Sequence, residues 1–174
     1  KDHKTVRALL AHRSGIPALR DPVKSGGFLD FDYIAVCLAK ETPFWNPGSA
    51  HGYHLVTFGW TVGELVRRVS GISLGQFFND EIAAPYNVDF HIGLPKSEFG
   101  RVSKLMTFAL NPADEPTPFV QAMFKDPAGL QALAFSNNGD WNFDTPESWQ
   151  AEIGGAGGIS NARGLAGMFG TIFG

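Results

Sequence analysis

The chain has 174 residues, 44% of them apolar, with 17 acidic against 14 basic side chains and a formal net charge of -3. That length suits one domain with a sizeable core, and the acidic balance gives no electrostatic footing for nucleic acid. No run of eighteen apolar residues exists, so no membrane span is expected, and the single cysteine, Cys37, excludes an intrachain disulfide.

Thr5 is placed to cap a short helix over residues 5–12, which Gly15, in a left-handed conformation, and Pro17 bring to an end. Asp30 caps a second helix over 31–40, and Cys37 falls in its apolar run as a buried packing residue. Cysteine usage leaves the compartment undecided, with a soluble, cytoplasmic location as the default expectation. Next comes Trp45-Asn46-Pro47-Gly48-Ser49-Ala50-His51-Gly52-Tyr53-His54, a loop dense in functional side chains, bent by Pro47-Gly48 and Gly52. It feeds a helix over 56–70 in which Phe58, Val62, Leu65, Val66 and Val69 recur at helical spacing. Tyr53 is therefore presented just before a helix start with His51 and His54 on either side. Two readings of it stand: a polar group offered to a cleft, or a hydrogen-bonded structural tyrosine.

Gly59 and Gly63 share one face of that helix and permit close approach by another element, while Glu64 and Arg68 are spaced for an ion pair. Gly71 ends the helix, and Ser73-Leu74-Gly75-Gln76 has capping-box spacing for another reaching Ala84, closed by Pro85. Asp89-Phe90-His91-Ile92-Gly93-Leu94-Pro95 reads as a strand, and residues 101–110 hold a second. A proline-rich, acidic surface loop over 111–118 is followed by short helices near 118–124, 128–134 and 146–153, with a turn at Ser136-Asn137-Asn138-Gly139-Asp140. Gly154-Gly155-Ala156-Gly157-Gly158-Ile159 then leads into a helix capped by Ser160 or Asn161. That helical pattern is still running at Gly174, and Lys1 is no initiator methionine. The expectation is a partial domain over 1–174, truncated at both ends, rich in helix and short of the three strands a stable sheet needs.

His51 and His54 could pinch a metal only on a helical turn, which Pro47 and Gly52 oppose. His3, His12 and His91 lie far away in sequence with no Cys or Asp cluster, so neither a metal nor a cofactor is expected. The glycine run 154–158 lacks the lysine of a phosphate-binding loop. No Ser-x-x-Lys occurs; the nearest, Ser160-Asn161-Ala162-Arg163, ends in a residue that cannot release its proton.

The order of motifs nonetheless resembles the serine β-lactamase-like family of class C β-lactamases, penicillin-binding proteins, D-aminopeptidases and esterases. Leu9-Leu10-Ala11-His12-Arg13-Ser14-Gly15-Ile16 is similar to its Leu-Leu-x-His-x-Ser-Gly-Leu segment. Trp45-Asn46-Pro47-Gly48 resembles the Pro-Gly approach to its second catalytic motif, and Tyr53-His54-Leu55 stands at the Tyr-x-Asn motif itself. Ser73-Leu74-Gly75-Gln76-Phe77-Phe78, with Ile82 and Pro85, is similar to the helix ending in Pro-Leu-Gly. Gly157-Gly158-Ile159-Ser160-Asn161-Ala162-Arg163-Gly164-Leu165-Ala166 resembles the Gly-Gly-Ile-x-Ser/Thr-Ala-x-Asp-Leu-Ala stretch.

The resemblance implies an α+β, β-lactamase/transpeptidase-like fold of which these residues are mostly the helical region. It implies acyl transfer through the serine of a Ser-x-x-Lys motif, with Tyr53 as the catalytic proton carrier and no cofactor. His51, His54, Leu55, Gly157 and Gly158 are the implied substrate-binding positions. Leu55 departs from the motif's asparagine and cannot hydrogen-bond an amide, which points to a small ester or lactone and to the esterase branch. The alternatives are a β-lactamase or D-amino-acid peptidase acting on an amide, or a non-catalytic scaffold. His91-Ile92-Gly93 imitates the His-x-Gly third motif but follows Tyr53 too soon, so it is read as strand. Without a Ser-x-x-Lys, these residues alone are expected to be inactive.

Overall fold

The structure, a computed structural model, describes residues 5–106 and 115–173. Eight α-helices are described: α1 (Val6–Leu10), α2 (Phe31–Lys40), α3 (Thr57–Ser70), α4 (Leu74–Phe78), α5 (Pro118–Lys125), α6 (Leu130–Ser136), α7 (Pro146–Gln150) and α8 (Ala162–Phe173). Two short strands, β1 (Phe90–Ile92) and β2 (Gly158–Ser160), pair antiparallel with Phe90 opposite Ser160.

The helix starts follow from side-chain caps that replace the missing first-turn partners. Thr5 Oγ1 accepts the Ala8 N–H at 3.2 Å, Asp30 Oδ1 the Tyr33 N–H at 3.0 Å and Ser73 Oγ the Gln76 N–H at 3.2 Å. The helix expected to reach Ala84 is α4 followed by a π-turn over Asn79–Ala83.

The core gathers Ile16, Leu19 and Val23 from the segment after α1, Phe28, Ile34 and Leu38 from around α2, Trp60 of α3, and Ile153. Trp60 is its centre, 1% exposed, with its ring 4.7 Å from that of Phe28. The face of α3 that goes deepest is Thr57, Gly59, Trp60 and Gly63, while Val69 of the apolar stripe remains 81% exposed. The small residues decide this. A Cβ on Gly59 would overlap the backbone nitrogen of Gly155 and lie 2.8 Å from the carbonyl carbon of Gly154. Residues 154–155 therefore rest directly on the first turn of α3. Gly59→Ala is expected to destabilise the chain by about 1–3 kcal/mol through overpacking, despite gaining about 1 kcal/mol of helix propensity. Urea denaturation reads this, and an unchanged or raised midpoint would overturn the packing argument.

Two side chains fix the neighbouring segments. Glu152 accepts Ser73 Oγ–H and the Gly75 N–H, each at 2.7 Å, so the chain just before the glycine run is pinned to the start of α4. Asn137 donates to the carbonyls of Leu19 and Asp21 and accepts from Val23 N–H, tying the turn after α6 to the core segment.

One expected strand is corrected. Arg101 ends a 3-10 helix over Lys96–Arg101, and residues 102–106 form no strand; the remainder of that expectation lies outside the described residues. The Arg101 guanidinium pairs with Asp89 and with Glu98 three residues before it, and a side chain bound back to its own turn favours the tight helix over an extended run. The partner of β1 is instead β2, within the stretch read as a glycine-rich lead into α8. Asn161 Oδ1 caps that helix, accepting the Arg163 and Gly164 N–H groups at 3.0 Å each. Cys37 is half-buried against the core.

Candidate active site

α1 stops at Leu10, and the chain reverses through His12, whose φ is +55°. Residues 12–15 then run alongside 44–52. Phe44 N–H donates to Gly15 O at 2.7 Å, Gly48 N–H to Arg13 O at 2.9 Å and Gly52 N–H to His12 O at 3.2 Å. The Arg13 guanidinium closes on Gly48 O. The Pro47-Gly48 turn, closed locally by Ser49 N–H donating to Asn46 O at 2.9 Å, is thus also held from outside by the upstream segment.

His54 lies under this zipper, 1% exposed. Its Nε2 accepts the Ile16 N–H at 3.2 Å and faces Ser14 Oγ at 2.8 Å, while Nδ1 is 2.6 Å from Gly52 O. A backbone N–H can only donate and a carbonyl can only accept, so the ring is neutral with its proton on Nδ1, and Ser14 donates to Nε2. Burial holds its pKa below the ordinary imidazole value, opposed by the Gly52 carbonyl and assisted by His12 and His51. Substrate contact is therefore corrected for this residue. Its ring is spent on protein atoms, because Ser14 and Ile16, distant in sequence, fold over it.

The neighbour points the other way. Tyr53 is 64% exposed, one residue before the buried imidazole and four before the first residue of α3. Its ring lies 5.1 Å from that of His12, which also packs at 4.5 Å on Phe58 and meets exposed His51 edge-on at 6.2 Å. Leu55 is half-buried and turns its carbonyl toward Gly155, where a Cβ would lie 3.4 Å away.

The structure therefore brings His51, Tyr53 and His54 together and lays residues 154–155 against Leu55 and Val56. Gly157 and Gly158 line a separate cleft of about 580 Å³ beside Trp141, Phe143 and Trp149, a lining that includes neither Tyr53 nor His51. Ser160 Oγ–H donates to Asp89 O at 2.7 Å, so its proton is directed at a backbone carbonyl and not at a base. Among the described residues no group of three or more His, Cys, Asp or Glu is arranged to hold a metal, and no helix is long and apolar enough to cross a membrane.

His12 and Ser14 were not legible as site residues. His12 is remote from His51 and His54 in sequence, yet its Nδ1 accepts the His54 N–H at 3.1 Å. The available signal was the shared Leu-Leu-x-His-x-Ser-Gly-Leu pattern, which names both positions without saying what they touch.

Known proteins match this arrangement over nearly all of the chain. The Beta-lactamase family model covers residues 1–173. Esterase/beta-lactamase LipL of Mycobacterium tuberculosis is 28% identical over 189 residues, spanning 97% of this chain and 40% of that protein. A penicillin-binding protein homologue from Caulobacter crescentus superposes with a TM-score of 0.75 at 33% identity, over 99% of this chain and 44% of its own. A family VIII carboxylesterase gives 0.76 at 33% identity, over 95% and 42%, and EstA from Arthrobacter nitroguajacolicus gives 0.79 at 30% identity, over 95% and 43%. The chain thus spans less than half the length of each of these proteins. With the family model spanning all but its last residue, and the α+β β-lactamase/transpeptidase-like fold shared with these structures, the chain belongs to the Beta-lactamase family.

Proposed function

We propose that this chain is the tyrosine-bearing part of a serine hydrolase that transfers an acyl group from a small ester or lactone to water. The observation that carries the reading is Tyr53 itself, exposed on a turn whose underside is locked by a buried, fully hydrogen-bonded His54. Such a turn offers a phenol in a fixed place, and fixed placement of a proton carrier is what general acid–base catalysis needs.

In this reading the nucleophilic serine and its lysine come from a Ser-x-x-Lys segment that the 174 residues do not contain. The serine attacks the ester carbonyl, its proton leaves through the lysine–tyrosine pair, and the same pair returns a proton to the departing alkoxide. A phenol has an ordinary pKa near 10 and serves as base only beside a cation that stabilises the phenolate. Accordingly, the 174 residues alone would be inert toward esters.

Leu55 favours an ester over an amide. A site built to bind an amide is weakened when an apolar side chain replaces its hydrogen-bonding partner, whereas an ester has no N–H to satisfy. At full length, the protein is expected to hydrolyse p-nitrophenyl butyrate with a kcat/KM at least about tenfold above that for nitrocefin or a D-alanyl peptide. Parallel assays of the three substrates decide it. Equal or better turnover of nitrocefin would transfer the assignment to a β-lactamase.

A further inference from the structure

His12 does more than close the turn after α1. Its carbonyl accepts Gly52 N–H at 3.2 Å, its Nδ1 accepts His54 N–H at 3.1 Å, and its ring lies between Phe58 at 4.5 Å and Tyr53 at 5.1 Å. Tyr53 is thus flanked on both sides by residues whose backbone amides bond to one histidine, and its ring leans on that same imidazole. We propose that His12 is the positioning residue of Tyr53, and that it performs this role only while its imidazole is neutral. The proposal rests on the catalytic reading of Tyr53 for its consequence in turnover, but the positioning itself stands on the geometry.

The acceptor role decides the protonation state that works. An Nδ1 that accepts a backbone N–H carries no proton, so neutral His12 has its proton on Nε2. Protonation adds a donor at Nδ1, sets two N–H groups against each other and breaks the contact to the residue after Tyr53. The titratable groups facing His12 are His51, Tyr53 and His54 from the loop, with Arg13 beside it in sequence directed at Gly48 O; α3 contributes apolar Phe58. Burial, and then the His51 imidazole, hold the His12 pKa below the ordinary imidazole value, so the support holds at neutral pH and is lost only on acidification beyond the ordinary imidazole range.

Two substitutions separate support from titration. In His12→Asn the side-chain amide oxygen can stand near the Nδ1 position and accept the His54 N–H without titrating, and asparagine tolerates the positive φ at this site. His12→Leu removes the acceptor. The readout is the ring NMR signal of Tyr53, one of three tyrosines in the chain and assignable by comparison with Tyr53→Phe. It is followed together with the His54 amide shift from pH 7.5 to about 5, with melting temperatures taken alongside.

In the parent chain the Tyr53 ring signal and the His54 amide are expected to change together as pH falls. In His12→Asn both should stay at their neutral-pH positions, and in His12→Leu the ring should show averaged, mobile behaviour at every pH. At full length, His12→Leu should lower kcat for p-nitrophenyl butyrate about 10- to 100-fold with little change in KM, and His12→Asn should recover most of that loss and flatten the acid limb. A His12→Asn titration identical to the parent's would overturn the proposal, and so would a Tyr53 ring in a folded His12→Leu as ordered as in the parent. If His12→Leu fails to fold, the His12→Asn titration alone decides. Undiminished ester turnover in Tyr53→Phe would instead sink the catalytic reading, leaving the NMR result to stand or fall independently.

Discussion

Replacing Tyr53 with phenylalanine in the full-length protein is expected to lower kcat for ester hydrolysis about 10²- to 10⁴-fold while leaving the melting temperature within a degree or two of the parent's. The rate term is that of removing a general acid–base group from a fixed position, worth roughly 3–5 kcal/mol of barrier at 1.36 kcal/mol per decade. The stability term is small because the side chain is 64% exposed and the substitution removes only its hydroxyl. The neighbouring bonds that build the turn, from Gly52 N–H to His12 O and from His54 N–H to His12 Nδ1, are made by backbone and by His12 and are untouched. Burst kinetics with p-nitrophenyl butyrate separate the two half-reactions. Loss of the burst places the tyrosine in acylation, whereas an intact burst with slow steady state places it in deacylation. Parent-like kcat in a folded Tyr53→Phe would remove it from the chemistry altogether.

The sequence displayed the presenting turn well and its support poorly, and the reason is range. Caps act over three residues, so Thr5, Asp30 and Ser73 could be read directly and each accepts the bond expected of it. Gly59 and Gly63 likewise announced a close approach, although the backbone that comes close to Gly59, residues 154–155, lies about 95 positions later, and Gly63 meets the Phe31 ring instead. The imidazole bonds, by contrast, link His54 to Ser14 and Ile16 and to His12, across 38 to 42 residues. No local period encodes them. Adjacency to Tyr53 made His54 look substrate-facing, but alternation along an extended turn turns one of two neighbours inward. The misplaced strand over 101–110 has a similar origin: its apolar residues permit an extended run, while Arg101 pairing with Glu98 and Asp89 closes it into a helical turn. β2 escaped notice because glycine-rich stretches are poor strand formers in isolation, and pairing with β1 supplies what propensity lacks.

The largest stability effect is expected at the residue beneath the tyrosine. His54→Leu keeps an apolar, buried side chain but removes the acceptor for Ile16 N–H and Ser14 Oγ–H and the donor to Gly52 O. Ser14 can rotate toward another acceptor, whereas a backbone N–H cannot, and an unsatisfied buried donor costs about 1–3 kcal/mol. With the Gly52 carbonyl also released and the edge contact to the Trp45 ring at 5.9 Å lost, a total of roughly 3–5 kcal/mol follows, a large share of the stability of a small domain. His54→Gln, which restores an acceptor near the Nε2 position but no donor at Nδ1, should recover about half of it. Acid titration gives an independent handle on the same residue. Because the folded-state pKa is lowered, the unfolded chain binds more protons as pH falls below about 6.5, so stability is lost from that point down to the folded-state pKa, at up to about 1.4 kcal/mol per pH unit. Above pH 7 the contribution is complete. His54→Leu removes this titration, so its denaturation midpoint should be lower than the parent's at pH 7.5 and should fall less steeply toward pH 5. Urea melts at the two pH values measure both terms. Parallel pH slopes in parent and variant would mean that His54 is not held neutral by the fold, and an unshifted midpoint at pH 7.5 would mean that the turn under Tyr53 is secured elsewhere.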